Sequence, residues 1–274
     1  RRQRQMCIRD SDQPATRIVA LTPSDCEILC AIGCEDALVG RGKYCDYPES
    51  ISALPVVQSG AETNIEEILA LDPQAVLMSD MSQTEEQAKL LEQNGVKVVI
   101  SDANDIAGVY TAIRMIGALM AKDDAAEALI GDMQATFDEI AAKSEKSGKT
   151  IYFEVSPLQW GLWTAGSGTF MDELATMCGV TNAFADISGW QSISEEQVIE
   201  RNPDYIVSIA GMGDTAVEEI MGRDGWGDIG AVKNGRVYNA DSNAISRPGP
   251  RLKDAAIELY HFLNDDEAEE APAA

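Results

Sequence analysis

The stretch EEILALDPQAVLM, Glu66–Met78, is nearly repeated 130 residues later as EQVIERNPDYIVS, Glu196–Ser208. Each stretch begins with Glu, reaches Pro at the eighth place and then enters an apolar run. Proline ends helices, and a short apolar run bounded by turn residues is typical of a buried strand. The two stretches therefore predict that one helix–Pro–strand unit is built twice in the chain.

Strands and helices alternate around both copies. The strand predicted at Arg17–Leu21 is followed by a helix that ends near Gly33, and the strand predicted at Thr150–Val155 is followed by a helix that ends at Gly179. Such alternation is typical of parallel α/β sheets. Between the two halves, apolar residues recur every three or four positions from Asp123, which predicts one long helix.

We therefore predict an α/β protein of two Rossmann-like parallel-sheet lobes, joined by one long rigid helix, with a ligand cleft between the lobes. The predicted boundaries are 17–122 for the N-terminal lobe, 123–147 for the helix, 148–264 for the C-terminal lobe and 265–274 for an acidic disordered tail. Residues 1–10 match the translation of a transposase adapter used in sequencing libraries, so we interpret them as an artefact followed by a linker, 11–16. On this interpretation, a signal segment would be missing from the sequence.

The charge and the distribution of apolar residues argue against a nucleic-acid partner and against a membrane-spanning helix. The formal net charge is −25, so the phosphate backbone of a nucleic acid would be repelled. No apolar run approaches the roughly 18 residues that a membrane-spanning helix needs. We therefore expect no nucleic-acid partner and no transmembrane helix in this sequence.

Three cysteines, Cys26, Cys30 and Cys34, recur every four residues and would share one helix face. They could be thiolate ligands of a metal or small core side chains. The sequence has no CxxC spacing, and its only histidine, His261, is near the end, which favours the core interpretation. We expect no metal site, and the odd number of cysteines outside residues 1–10 suggests either thiols that remain reduced or a source that makes little use of disulfides.

The sequence offers no set of catalytic residues. A single histidine near the C-terminus leaves no Ser-His-Asp candidates. The segment KSGKT, Lys146–Thr150, lacks the leading glycine of a phosphate loop and precedes a strand, and no GxGxxG opens a helix. We expect neither a catalytic site nor a resident cofactor.

Both copies of the repeat begin with a predicted capping box, at Asn64–Glu67 and Ser194–Gln197. The fourth residue of each box would cap the helix, which leaves Glu66 and Glu196 in the first turn. These carboxylates could simply favour the helix dipole. Alternatively, they form a symmetric pair, one on each lobe, that receives two cations of a partner.

Aromatic and cationic residues concentrate in predicted loops. Three of the four tryptophans and two tyrosines lie there: Trp160, Trp163, Trp190, Tyr44 and Tyr47. The nearby cations are Arg41, Lys43, Arg247 and Arg251. Stiff aromatic walls with a few cations suit a large, flat or anionic ligand, although ordinary packing under loops is an alternative for each residue.

The chain resembles the solute-binding receptors of ABC importers for iron–siderophore complexes and cobalamin. The resemblance covers Arg17 to Leu263 and lies in the order of RIVALTPSDCEIL, VGRGKYCDYP, NIEEILALDPQAVL, GWQSISEEQVIERNPDYIV and SRPGPRL. It implies a monomeric extracytoplasmic protein, periplasmic or lipid-anchored, without enzymatic activity. It also implies that Glu66 and Glu196 dock into arginine-containing pockets of a dimeric ABC permease.

The resemblance also suggests ligand contacts. Tyr44 and Trp190 match positions that line the cobalamin cleft, and Arg247 falls near another. Gly60 stands where the cobalamin receptor has Trp, and Asn243 replaces Asp, so we favour a ferric siderophore and place a corrinoid second. Haem is less favoured because no histidine lies near the predicted cleft. The alternatives are a two-lobed α/β enzyme and a ligand-sensing receptor of the same fold.

Overall fold

The computed structural model describes residues 13–79 and 83–269. The predicted adapter segment 1–10 lies outside these residues. The chain divides into two compact units. The first contains the described residues up to Ala103 together with Ala107–Asp132, and the second contains Asn104–Ile106 and the described chain from Met133 onward.

The sheet of the first unit has five parallel strands in the order β3-β2-β1-β4-β5. They are β1 (Ile18–Ala20), β2 (Leu38–Gly42), β3 (Val56–Val57), β4 (Ala75–Ser79) and β5 (Lys97–Ser101). All residues of β1 are buried, which is typical of a parallel strand covered on both faces.

The second unit repeats this topology. Its strands are β6 (Thr150–Glu154), β7 (Trp163–Ala165), β8 (Thr181–Asn182), β9 (Trp190–Ser192), β10 (Tyr205–Ser208) and β11 (Val237–Asn239). The parallel sheet has the order β8-β6-β10-β11, which matches β2-β1-β4-β5 strand for strand. Strand β3 is an addition to the first unit, and the antiparallel ribbon β7–β9 is an addition to the second.

The helices agree with the predicted alternation. They are α1 (Pro23–Ala31), α2 (Ile65–Ala70), α3 (Glu85–Gln93), α4 (Ile106–Leu119), α5 (Asp123–Lys143), α6 (Phe170–Met177), α7 (Glu195–Arg201), α8 (Ala216–Met221), α9 (Gly230–Lys233), α10 (Ser242–Ser246) and α11 (Leu252–Glu269). The fold class is therefore confirmed. No helix of the described chain is long and apolar enough to cross a bilayer.

Two helix ends and one whole helix differ from the predictions. The long helix α5 ends at Lys143, four residues before the predicted end, and the two units divide within it. Helix α4 precedes it and was not predicted. The backbone of α11 continues to Glu269, so the first half of the predicted disordered tail is helical, and residues 270–274 lie outside the described residues.

The repeated helix–Pro–strand units share their detailed geometry. Asp72 and Asn202, which immediately precede the two prolines, both take the left-handed conformation, with φ of 50° and 48°. Two residues later, the side chains of Gln74 and Asp204 accept hydrogen bonds from backbone N–H groups at the start of the first strand of each sheet. The duplication therefore extends to the contacts that join each repeat to its sheet.

Each unit has its own hydrophobic core. In the first unit, Ile68 of α2 packs with Met78 of β4 and Leu91 of α3. In the second unit, Trp226 is fully buried, with its ring centroid 6.5 Å from that of Tyr152. Trp226 is the one tryptophan that was not predicted to contact a ligand.

Candidate functional site

In the first unit, Arg41 lies in β2 instead of in the predicted loop, whereas Lys43 and Tyr44 lie on the loop that follows this strand. Gly42 ends this strand so close to β1 that a Cβ atom would lie 2.4 Å from the carbonyl oxygen of Leu21, which makes glycine necessary there. The next two side chains emerge together, with Lys43 Nζ 5.4 Å from the ring centroid of Tyr44. Tyr44 is 68% exposed, so most of its surface faces solvent.

Arg41 has a different environment from the one predicted. Its Nη1 donates to the carbonyl oxygen of Cys45 at 3.0 Å, and its Nη2 donates to that of Ser52 at 2.8 Å. These bonds hold two points of the segment between β2 and β3 against one guanidinium. This segment carries Tyr44 and is called the Tyr44 loop. Arg41 therefore holds the loop in place, and Lys43 is the exposed cation beside Tyr44.

In the second unit, two of the three candidate tryptophans lie on a β-ribbon instead of in loops. Trp163 of β7 is paired with Ser192, and Trp190 of β9 is paired with Ala165. Paired residues in antiparallel strands share a face, as do residues two apart, so both indole rings emerge on the same face of the ribbon. Phe170 supports the Trp190 ring at a centroid distance of 5.3 Å.

The remaining predicted ligand residues lie on either side of this ribbon in sequence. Trp160 ends a short 3₁₀ turn, Leu158–Trp160, and is 70% exposed. Arg247 and Arg251 flank the Pro-Gly-Pro turn after α10; both are half-buried, and each already has an interaction partner.

The two predicted capping boxes form to different extents. In α7, Ser194 accepts from the Gln197 N–H, and the Gln197 side chain accepts from the Ser194 N–H, which completes the box. In α2, Asn64 accepts from the Glu67 N–H as predicted. The predicted return bond from Glu67 is wrong, because its carboxylate accepts from the Gln58 N–H at 3.1 Å.

Glu66 and Glu196 occupy the same place, the second helical residue after the cap, and both are exposed. The neighbouring Glu195 has a structural role, since its Oε1 accepts from Trp226 Nε1 at 2.9 Å. The pKa of Glu196 is lowered by hydrogen bonds from its own backbone N–H and from the Ser194 hydroxyl. Both candidate docking carboxylates therefore project to the surface of their own unit.

A buried ion network at the carboxyl end of β6 was missed in the sequence. Both carboxylate oxygens of Glu154 accept from Arg223, at 2.7 and 2.8 Å, and Arg223 also binds Glu219. Burial raises the pKa of Glu154, and the Arg223 guanidinium opposes the rise. The network lies beside a cavity of about 80 Å³ that Gln159 and Ser208 also line. The sequence signal was a single acid at the end of a buried strand.

The cysteine stripe is part of the core at two of its three positions, where Cys26 and Cys34 are buried; Cys30 is partly exposed. Within residues 13–79 and 83–264, no group of three or more His, Cys, Asp or Glu side chains is arranged to hold a metal ion.

Comparisons with known proteins agree with this architecture. The periplasmic binding protein family matches residues 18–244. The uncharacterized ABC transporter substrate-binding lipoprotein YvrC of Bacillus subtilis (strain 168) is 35% identical over 257 residues, which are 91% of this chain and 80% of that protein. The vitamin B12-binding protein of Salmonella typhimurium is 30% identical over 255 residues, 91% of each chain.

A solved structure gives the same result. It is that of a possible iron-binding (periplasmic solute-binding) protein from Staphylococcus epidermidis, which is 31% identical, with a TM-score of 0.79 over 92% of this chain and 99% of that one. The two α/β units have matching topology, and the family match covers most of the sequence. Both observations support the same assignment. This chain belongs to the periplasmic binding protein family.

Proposed function

We propose that this protein is the extracytoplasmic substrate-binding component of an ABC importer, which captures a metal chelate and delivers it to a permease dimer. The observation that carries the proposal is the exposure of large aromatic side chains, Tyr44 in one unit and Trp160 and Trp163 in the other. Exposed aromatic surface is unfavourable in water and is typical of a binding site. The relatives are named as binding proteins, which supports a role without catalysis.

The ligand class that we propose first is a ferric siderophore. Lys43 beside the Tyr44 ring, together with Arg247 and Arg251 in the second unit, supplies cations for an anionic chelate. Arg41 contributes indirectly, because it fixes the loop that carries Lys43 and Tyr44. The aromatic face formed by Trp163 and Trp190 would contact the flat parts of the ligand.

A corrinoid is the second candidate, and the relatives named for vitamin B12 support it. Two positions weaken this assignment on the basis of the family resemblance. Gly60 supplies no side chain where the cobalamin receptor has an aromatic wall, and Asn243 is neutral where that receptor has an acid. We therefore place a corrinoid second to a ferric siderophore.

The test is the intrinsic tryptophan fluorescence of the protein, titrated separately with cyanocobalamin and with ferric hydroxamate and catecholate siderophores. Both ligand classes absorb light, so a bound ligand should quench Trp163 and Trp190 saturably at micromolar concentrations or below. Trp190→Phe should reduce the quenching amplitude. Flat titrations with all ligands would contradict the proposal.

A charge variant separates the two ligand classes. Lys43→Met should weaken an anionic siderophore about three- to fivefold, since one partly exposed charge contact is lost, and should leave neutral cyanocobalamin unaffected. Lys89→Met is the matched control, because Lys89 is an exposed cation of the same unit on α3. Equal losses in both variants would show that net charge, and not the position of Lys43, matters.

A further inference from the structure

Two buried cysteines of the first unit meet at a single backbone carbonyl. The Sγ atom of Cys26 lies 3.8 Å from the carbonyl oxygen of Ala20, and the Sγ atom of Cys45 lies 3.7 Å from the same oxygen. Both side chains are fully buried, and the Cys45 thiol contributes to a raised pKa of Cys26. They are therefore neighbours in space although about twenty residues separate them in the sequence.

The two cysteines lie on different elements of the first unit. Cys26 lies in the first turn of α1, directly after β1, whereas Cys45 follows Tyr44 in the exposed loop. The backbone of Cys45 is already held, because its N–H donates to Gly42 and its carbonyl oxygen accepts from Arg41. The Cys45 side chain points from the exposed loop into the core.

The other buried cysteines lack this arrangement. The thiol of Cys34 contacts the carbonyl oxygen of Ile32, and that of Cys178 contacts the carbonyl oxygen of Ala256 in the other unit. Cys26 and Cys45 are the pair, among the five free cysteines of the described chain, whose thiols share one acceptor.

We propose that Cys26 and Cys45 form a disulfide that ties the Tyr44 loop to the start of α1. Two S–H bonds break and one S–S bond forms; the two protons and two electrons pass to a disulfide oxidant, which is reduced to two thiols. The supply of that oxidant rests on the proposed extracytoplasmic location, where disulfides form and persist. The bond closes a short loop and would restrict the unfolded chain.

The timing of the bond follows from the environment of the thiols. The neighbouring Cys45 thiol and burial raise the pKa of Cys26, so the folded protein holds a thiol and not the reactive thiolate. A large oxidant cannot reach either sulfur when both are fully buried. We therefore place oxidation during folding, before the Tyr44 loop closes over β1, and we expect the finished bond to resist reductants.

The experiment uses the full chain and needs neither ligand nor permease, so its outcome is independent of the proposed function. The protein is unfolded in denaturant with reductant, refolded in a mixture of oxidised and reduced glutathione, alkylated and digested for mass spectrometry. We expect a peptide pair joined through Cys26 and Cys45, and four of the six cysteines alkylated. The oxidised form should unfold at a midpoint roughly 5–10 °C higher than the reduced form.

Variants distinguish this pair from any other. Cys178→Ser should retain the joined peptide, whereas Cys26→Ser and Cys45→Ala should lose it, and with it the higher midpoint. A protein whose six cysteines are all alkylated after refolding would overturn the proposal. A bridge from Cys26 or Cys45 to any other cysteine would also overturn it.

Discussion

Arg223 is almost fully buried and binds one buried acid, Glu154, and one exposed acid, Glu219. Its replacement therefore tests how much the buried ion pair stabilises the second unit. Replacing it with methionine would leave the Glu154 carboxylate buried without its cation. We expect Arg223→Met to lower the free energy of unfolding by about 3–5 kcal/mol near neutral pH. Denaturant titration would measure the loss, which should shrink in acid because Glu154 becomes neutral.

Glu219→Gln is the matched control for this network. The Glu219 side chain is 51% exposed, so the loss of its bond with Arg223 should cost at most about 1 kcal/mol. Equal effects of the Arg223 and Glu219 variants would mean that the buried Glu154–Arg223 pair contributes no more than an exposed ion pair.

Asp25 should make the folded protein less stable as the pH rises, which is the reverse of the usual effect of a carboxylate. It is buried in the first turn of α1, and Thr22 and Ser101 donate hydrogen bonds to its Oδ2. Burial raises its pKa to about 6, and these two bonds oppose the rise. Between its unfolded and folded pKa values, the folded state holds a proton that the unfolded state has released. The stabilising contribution is therefore complete at low pH and is lost as the pH rises through about 6.

Asp25→Asn isolates this effect from other carboxylates, because asparagine does not titrate. From about pH 4.5 to about pH 7.5, the wild type should lose roughly 2 kcal/mol of unfolding free energy relative to the variant. Urea unfolding of both proteins at the two pH values measures the difference. Parallel pH profiles would show that Asp25 has an ordinary pKa.

At the scale of elements, the link between α7 and β10 depends on Asn202. This residue combines a left-handed backbone with a side-chain oxygen that accepts from the Gly230 N–H at 2.7 Å. Asn202→Gly keeps the backbone conformation and loses the bond, and we expect a cost of about 1 kcal/mol. Asn202→Ala loses the same bond and, unlike glycine, keeps a Cβ in the left-handed region without the amide that helps asparagine adopt it, so we expect a larger cost of about 2 kcal/mol.

Asp72, at the equivalent place in the first unit, provides the control. Its φ is 50°, and its backbone carbonyl, not its side chain, accepts from Arg17. Asp72→Gly should therefore leave stability unchanged or raise it by up to about 1 kcal/mol. Thermal unfolding of all three variants would contradict this account if Asp72→Gly were the most destabilised.

The elements that were predictable from the sequence are those with strong local signals. The repeated helix, proline and apolar run made α2, β4, α7 and β10 predictable, because each of these parts has its own backbone preference. Ser194 likewise caps α7 with a partner three residues away.

The features that were missed depend on tertiary contacts. Glu67 bonds to Gln58 because the chain after β3 passes beside α2, which no local pattern indicates. The common face of Trp163 and Trp190 requires the pairing of two three-residue strands, too short to show a period of two. Arg41 was predicted to contact the ligand because its charge suits an anion; its bonds to the carbonyl oxygens of Cys45 and Ser52 depend on how the loop after β2 folds back on the strand, which no local pattern indicates.

At the scale of the whole molecule, the duplication places Glu66 and Glu196 at equivalent positions of two equivalent units. If both dock onto a two-fold permease, Glu66→Gln and Glu196→Gln should each reduce ligand uptake about tenfold or more, as expected for a lost charge-assisted contact. Ligand affinity should not change. Uptake into vesicles that contain the partner permease, together with fluorescence titration, measures both quantities.

Glu86→Gln is a matched control from within the chain. Glu86 is exposed and follows the Thr84 cap of α3 by two residues, as Glu66 and Glu196 follow theirs. A role limited to the helix dipole predicts the same small effect for all three variants. Uptake that survives in the Glu66 and Glu196 variants would contradict docking.

A substrate-binding protein of this kind should bind a metal chelate and release it unchanged. The most direct measurement is equilibrium dialysis against ferric siderophores and cobalamin, followed by release of the bound ligand and its chemical analysis. We predict that one ligand class is retained at one molecule per protein and recovered intact after prolonged incubation. Retention of none of these ligands, or recovery of a chemically altered one, would contradict the account.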